Sequence, residues 1–77
     1  MINLYTLPRC SHCKEVKGKL DKAGIAWSEI DLTTSEADLH RVKAAGITSA
    51  PAIETEDGTL HKHTDIDAII EARKENN

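Results

Sequence analysis

Two cysteines separated by two residues, Cys10-Ser11-His12-Cys13, are the only thiols of the chain and the residues whose spacing most directly implies chemistry. They follow the apolar run Ile2-Asn3-Leu4-Tyr5-Thr6-Leu7 and open a helical pattern, which puts both where a strand turns into a helix. The first N–H groups of a helix have no intrahelical partner and carry partial positive charge, so a cysteine placed there favours its thiolate. Cys10 is thereby the expected nucleophile. Residues three apart on a helix share a face with Cβ atoms about 5–6 Å apart, within reach of a reversible disulfide. Cys13, one turn deeper and less exposed, is the expected resolving thiol.

The elements that must position this pair are legible around it. Ile2, Leu4 and Thr6 alternate with Asn3 and Tyr5 as in a strand, and Pro8 blocks its continuation. From Ser11 to Ala23 the positions Cys13, Val16, Leu20 and Ala23 follow a helical spacing, stopped by Gly24. Ile25 to Leu32 reads as a second strand. Ser35 with Asp38 resembles a capping box for a helix from Glu36 to Ala45, with Leu39 and Val42 inward and Gly46 just past its end. A strand–helix–strand–helix order points to an α/β sandwich whose first two strands are parallel, joined by a right-handed crossover. Ile47 to Thr55, the turn Glu56-Asp57-Gly58 and Thr59-Leu60-His61 form the strongest hairpin signal in the chain. Thr64 with Asp67 repeats the capping-box pattern before a last helix carrying Ile66, Ile69, Ile70 and Arg73, expected to fray in Glu75-Asn76-Asn77.

Composition narrows the functions available. At 77 residues the chain is expected to be a single domain, 1–77, held by an aliphatic core with no Phe and one Trp. A net charge of −3 with interspersed signs argues against nucleic acid or an anionic membrane as partner. No basic leader or long apolar stretch is present, so a cytoplasmic, monomeric protein is expected.

With a βαβ unit, C-x-x-C at its first helix, a Ser-Ala-Pro stretch entering the third strand and a closing hairpin and helix, the chain resembles the glutaredoxin family. In length it is similar to the short NrdH-type redoxins that reduce ribonucleotide reductase. Tyr5-Thr6-Leu7-Pro8-Arg9-Cys10-Ser11-His12-Cys13 matches the family's active-site approach, and Ser49-Ala50-Pro51 matches its Thr-Val-Pro element. The resemblance implies a thioredoxin-like, glutaredoxin-type four-stranded mixed sheet flanked by three helices. It implies a cis Pro51 facing the dithiol, and an Ala50 backbone that receives an extended substrate or glutathione by strand addition. It also implies a role for Asp65 beside the last helix. Two departures stand out: Leu7 replaces the family's basic residue, with Arg9 available as a substitute cation, and Lys62-His63 replaces its Gly-Gly pair. The reductant is therefore glutathione or a flavoenzyme of the thioredoxin-reductase type.

The resulting expectation is a thiol–disulfide oxidoreductase, with Cys10 and Cys13 catalytic and Arg9, His12, Ala50, Pro51 and Asp65 binding substrate. Its substrate is a disulfide-containing protein, ribonucleotide reductase being the one the resemblance suggests, and it carries no cofactor or metal of its own. His12 stands where glutaredoxins usually carry an aromatic residue and protein disulfide isomerases a histidine; there it is expected to stabilise the Cys10 thiolate and raise the reduction potential. The rival reading is a metal or iron–sulfur carrier using Cys10, His12 and Cys13 with His61 and His63 nearby. Tetrahedral sites usually bring two ligand pairs from two rigid turns, however, and a strand end does not supply one. Lys14 and Lys17 would keep the dithiol surroundings positive, Trp27 reads as a packing or strand-edge residue, and His40 as a solvated one.

Overall fold

A computed structural model describes residues 1–75. The chain runs through β1 (Ile2–Thr6), α1 (Ser11–Lys22), β2 (Trp27–Asp31), α2 (Glu36–Ala44), β3 (Ala52–Glu54), β4 (Leu60–Lys62) and α3 (Ile66–Glu75), with short 3-10 turns at Leu32–Thr34 and His63–Asp65. The four strands form one mixed sheet in the order β2-β1-β3-β4. β1 is parallel to β2 and antiparallel to β3, and β4 is antiparallel to β3. This is the four-stranded, three-helix architecture that the family resemblance implies. The fraying expected at Asn76 and Asn77 lies outside the described residues.

Two apolar layers hold the sheet, because β1 and β3 are central and their alternating side chains are buried on both sides. Ile2, Leu4 and Ile53 pack with Val16 and Leu20 of α1 and Ile66 and Ile69 of α3. Tyr5 and Ala52 pack on the opposite face with Val42 of α2, Leu32 and Ile47. The dithiol helix therefore shares one face of the sheet with α3. Trp27, on an edge strand, packs partly against the first layer while its indole N–H donates to Asp21 at 2.8 Å. No helix among the described residues is long and apolar enough to cross a membrane.

The strands pair over shorter stretches than their sequence patterns suggest. The β3 ladder begins only after Pro51, which has no N–H to contribute. Ser35 caps α2 by accepting the Asp38 amide at 3.4 Å, but the Asp38 carboxylate takes the Ser35 hydroxyl at 2.8 Å, not its backbone N–H. The cap expected from Thr64 and Asp67 does not form. Thr64 lies inside a 3-10 turn that runs directly into α3, so it never occupies a non-helical capping position, and Asp67 accepts from Lys19 at 3.1 Å instead.

Candidate active site

β1 ends at Thr6, and the chain turns through Leu7, Pro8 and Arg9 before α1 begins. Arg9 sits in the left-handed region at φ 60°, uncommon for a residue with a Cβ, and this bend delivers Cys10 to the helix N-cap. The Cys10 sulfur accepts the Cys13 amide at 3.1 Å, satisfying one of the orphan donors of the first turn. Cys10 and Cys13 lie at disulfide distance, with Cα atoms 5.2 Å apart. Cys10 is half-buried at the surface, whereas Cys13 is 3% exposed. The Cys10 sulfur is thus the more accessible of the two.

The Ala50–Pro51 peptide bond is cis, and the Ala50 carbonyl oxygen lies 3.5 Å from the Cys10 sulfur. The Ala50 amide makes no backbone hydrogen bond among the described residues, so it is open to an incoming strand. Arg9 is exposed and makes no ion pair among the described residues. It lines the groove of about 480 Å³ that holds both cysteines, together with Lys14, Lys17 and Glu29. Lys17 is committed to Glu29 at 2.8 Å, and Thr6 donates to the same carboxylate at 2.9 Å. Lys17 and then Thr6 hold the Glu29 carboxyl below the usual carboxylate range. Of the two lysines expected to colour the dithiol surroundings, only Lys14 makes no ion pair among the described residues.

His12 does not meet the Cys10 sulfur. Residues two apart on a helix do not share a face, and the imidazole is instead stacked on His63, ring centroids 4.4 Å apart and planes inclined at 19°, with Nδ1 3.8 Å from Glu15. His61 faces Thr55 at 3.5 Å and Asp65 at 4.0 Å, which leaves Asp65 beside the last helix and away from the sulfurs' immediate contacts. Among the described residues no three His, Cys, Asp or Glu side chains are disposed to hold a metal ion. His40 is exposed, as expected.

One cluster behind the site was not anticipated from the sequence. Glu54, 9% exposed, accepts from Asn3 at 2.9 Å and Tyr5 at 2.8 Å and pairs with Arg41 of α2. Asn3 and then Arg41 lower its carboxyl pKa to about 2 against the cost of burial. Burial and then Glu54 push the Tyr5 hydroxyl up. The only sequence hint was a carboxylate directly following the apolar residues Ala52 and Ile53.

Fold and site together define a dithiol protein of the thioredoxin fold. The family model described as Glutaredoxin matches residues 2–60. The chain belongs to the glutaredoxin family. Among curated proteins it is 38% identical over 56 residues to the Gene 56 protein of Mycobacterium phage L5, a stretch that is 71% of this chain and 54% of that one. The chain thus spans about half the length of that relative. Among solved structures, the thioredoxin-like protein BC3987 is 26% identical with a TM-score of 0.75, covering 92% of this chain and 97% of the other. NrdH-redoxin from Escherichia coli shares the fold with a TM-score of 0.79 at 20% identity, covering 92% and 91%. Glutaredoxin from Brucella melitensis does so at 0.74 and 23%, covering 97% and 83%.

Proposed function

We propose that this chain is a thiol–disulfide oxidoreductase that reduces disulfides in protein substrates. The observation that carries the reading is the half-exposed Cys10 sulfur at the N-cap of α1, within disulfide distance of a buried Cys13 and beside the open Ala50 backbone. The Cys10 thiolate attacks one sulfur of the substrate disulfide; a mixed disulfide forms and the first substrate thiolate leaves and takes up a proton. Cys13 then gives up its proton and attacks the Cys10 sulfur, expelling the second substrate thiolate. Two electrons have passed to the substrate, and the protein is left with the Cys10–Cys13 disulfide. An external donor returns it to the dithiol. The protein is read as a cytoplasmic monomer, with Arg9, His12, Ala50, Pro51 and Asp65 on the substrate side. Ribonucleotide reductase is a candidate substrate through the likeness to NrdH-type redoxins.

A flavoenzyme of the thioredoxin-reductase type is the favoured donor over glutathione. Leu7 offers no cation to a carboxylate, and the position where two glycines would let a backbone approach carries Lys62 and the His63 ring stacked under His12. Oxidised protein offered thioredoxin reductase, or glutathione with its reductase, each with NADPH, is expected to turn over with the first and poorly with the second. The combined Leu7→Lys, Lys62→Gly and His63→Gly variant should gain glutathione-dependent turnover. Efficient use of glutathione by the parent overturns this choice of donor. Failure of the chemically reduced protein to reduce hydroxyethyl disulfide overturns the oxidoreductase reading itself.

A further inference from the structure

Among the described residues Leu7 is one of two exposed large hydrophobic residues, 40% exposed, and it walls two hollows at once. On one side is the dithiol groove. On the other is a cavity of about 250 Å³ between α2 and the sheet, lined by Leu32, Leu39, Val42, Ile47 and Ala50 with Lys43 at its edge. A dry cavity of ~150 Å³ lined by aliphatic and aromatic groups already admits a benzene ring, so this one has room for an aliphatic side chain. Ala50 joins the two hollows, since its carbonyl oxygen lies 3.5 Å from the Cys10 sulfur.

Charge around these hollows is uneven. Lys17, Lys19, Arg41 and Arg73 are each paired with a carboxylate. Arg9 and Lys14 in the groove and Lys43 at the cavity are not, among the described residues. A chain of net charge −3 therefore presents unspent cations around its dithiol.

We infer that this face reads an extended disulfide segment carrying an aliphatic residue within two positions of its half-cystine, with acidic residues flanking the pair. The aliphatic side chain enters the Leu7–Leu39–Ile47 cavity, and the acidic groups meet Arg9, Lys14 and Lys43. An extended chain advances about 3.3 Å per residue, so a segment bonded to Cys10 and lying along Ala50 brings its next one or two side chains to the cavity mouth. The inference rests on the oxidoreductase reading and specifies its substrate class.

The test uses reduced protein in single turnover against short peptides with one cysteine capped by mercaptoethanol, each reaction yielding protein disulfide, peptide thiol and mercaptoethanol. A peptide with Leu beside the cysteine and flanking Glu is compared with versions carrying Ser for Leu or Lys for Glu. The Leu-to-Ser change should slow reduction about tenfold. The Glu-to-Lys change should slow it several-fold in low salt, and that difference should vanish in about 1 M salt, where screening acts within ~3 Å, while the leucine preference persists. In Leu7→Asn the rate ratio of Leu to Ser peptide should fall towards one, and in Arg9→Gln the ratio of Glu to Lys peptide should shrink. Equal rates for all three peptides, or preferences that survive both variants, overturn the inference while hydroxyethyl disulfide reduction leaves the oxidoreductase reading standing. If that small disulfide is not reduced either, both fall.

Discussion

At the residue scale, the division of labour proposed for the two thiols rests on burial and one hydrogen bond. Cys10 reaches the surface with the Cys13 amide on its sulfur, and Cys13 is sealed beneath it. Cys10→Ser should abolish turnover, because no exposed sulfur remains to attack. Cys13→Ser should retain the first attack and accumulate mixed disulfides, since only the second thiol releases the substrate. Mass spectrometry after exposure to a disulfide substrate distinguishes them; equal trapping by both variants contradicts the assignment. His12 illustrates a different lesson. Its place inside the motif suggested a partner for the thiolate, yet the helix turns it away and onto His63. The group on the Cys10 sulfur is a backbone amide that no side-chain replacement removes. In His12→Tyr the Cys10 thiolate absorbance should therefore titrate as in the parent, and a displaced midpoint would show that the imidazole does act on the sulfur.

At the element scale, the glycines show how a local backbone state decides the sign of one substitution. Gly18 lies in α1 with nothing within 4 Å of an added Cβ, whereas Gly24 follows the helix at φ +71° with equally open surroundings. Gly18→Ala should stabilise by about 0.5–1 kcal/mol through helix propensity and reduced unfolded-state freedom. Gly24→Ala should destabilise by about 1 kcal/mol, because a Cβ is disfavoured in the left-handed region. Urea midpoints read both, and equal shifts of the same sign would refute the argument. Gly24 and Gly46 as helix stops, and Asp57-Gly58 as the hairpin turn, were legible because each depends on residues adjacent in sequence. The C-x-x-C pair was legible for the same reason, whereas the cis Pro51 beside it came only through the resemblance to the glutaredoxin family. The Thr64 cap was misread because a 3-10 turn absorbs Thr64, and Asp67 finds its partner in Lys19, 48 residues away. The cavity beside Leu7 was likewise invisible, since its walls come from the β1–α1 turn, α2 and the approach to β3.

At the scale of the whole molecule, the two sides of the sheet are held by different physics. The α1 and α3 side is aliphatic, while on the α2 side the apolar layer is joined by a charged knot. Glu54 of β3 gathers Asn3 and Tyr5 of β1 and Arg41 of α2, tying α2 to the two central strands. Three partners from two distant segments favour its ionised form, which is why the residue is tolerated where an apolar side chain would be expected. The consequence for acid stability has a definite sign. Its carboxyl falls from an ordinary 4.5 to about 2 in the folded protein. Between those values the unfolded chain binds a proton that the folded chain does not. The stabilisation from Glu54 is thus fully present above about pH 4.5 and is lost as the pH falls through about 2. Arg73 and the N-terminal amine also hold Glu56 below the usual range, but that carboxylate is 45% exposed and its contribution is screened by salt. Glu54→Gln keeps the shape and part of the hydrogen bonding while removing the titration. It should cost about 2 kcal/mol at pH 7, the scale of hydrogen bonds to a charged group. The gap between parent and variant should narrow steadily between pH 4.5 and 2, and it should persist in high salt where the Glu56 contribution does not. Urea denaturation at a series of pH values measures it. A gap that stays constant across that range would mean that Glu54 acts through packing alone, and that the charge on this face of the sheet contributes nothing to holding α2 in place.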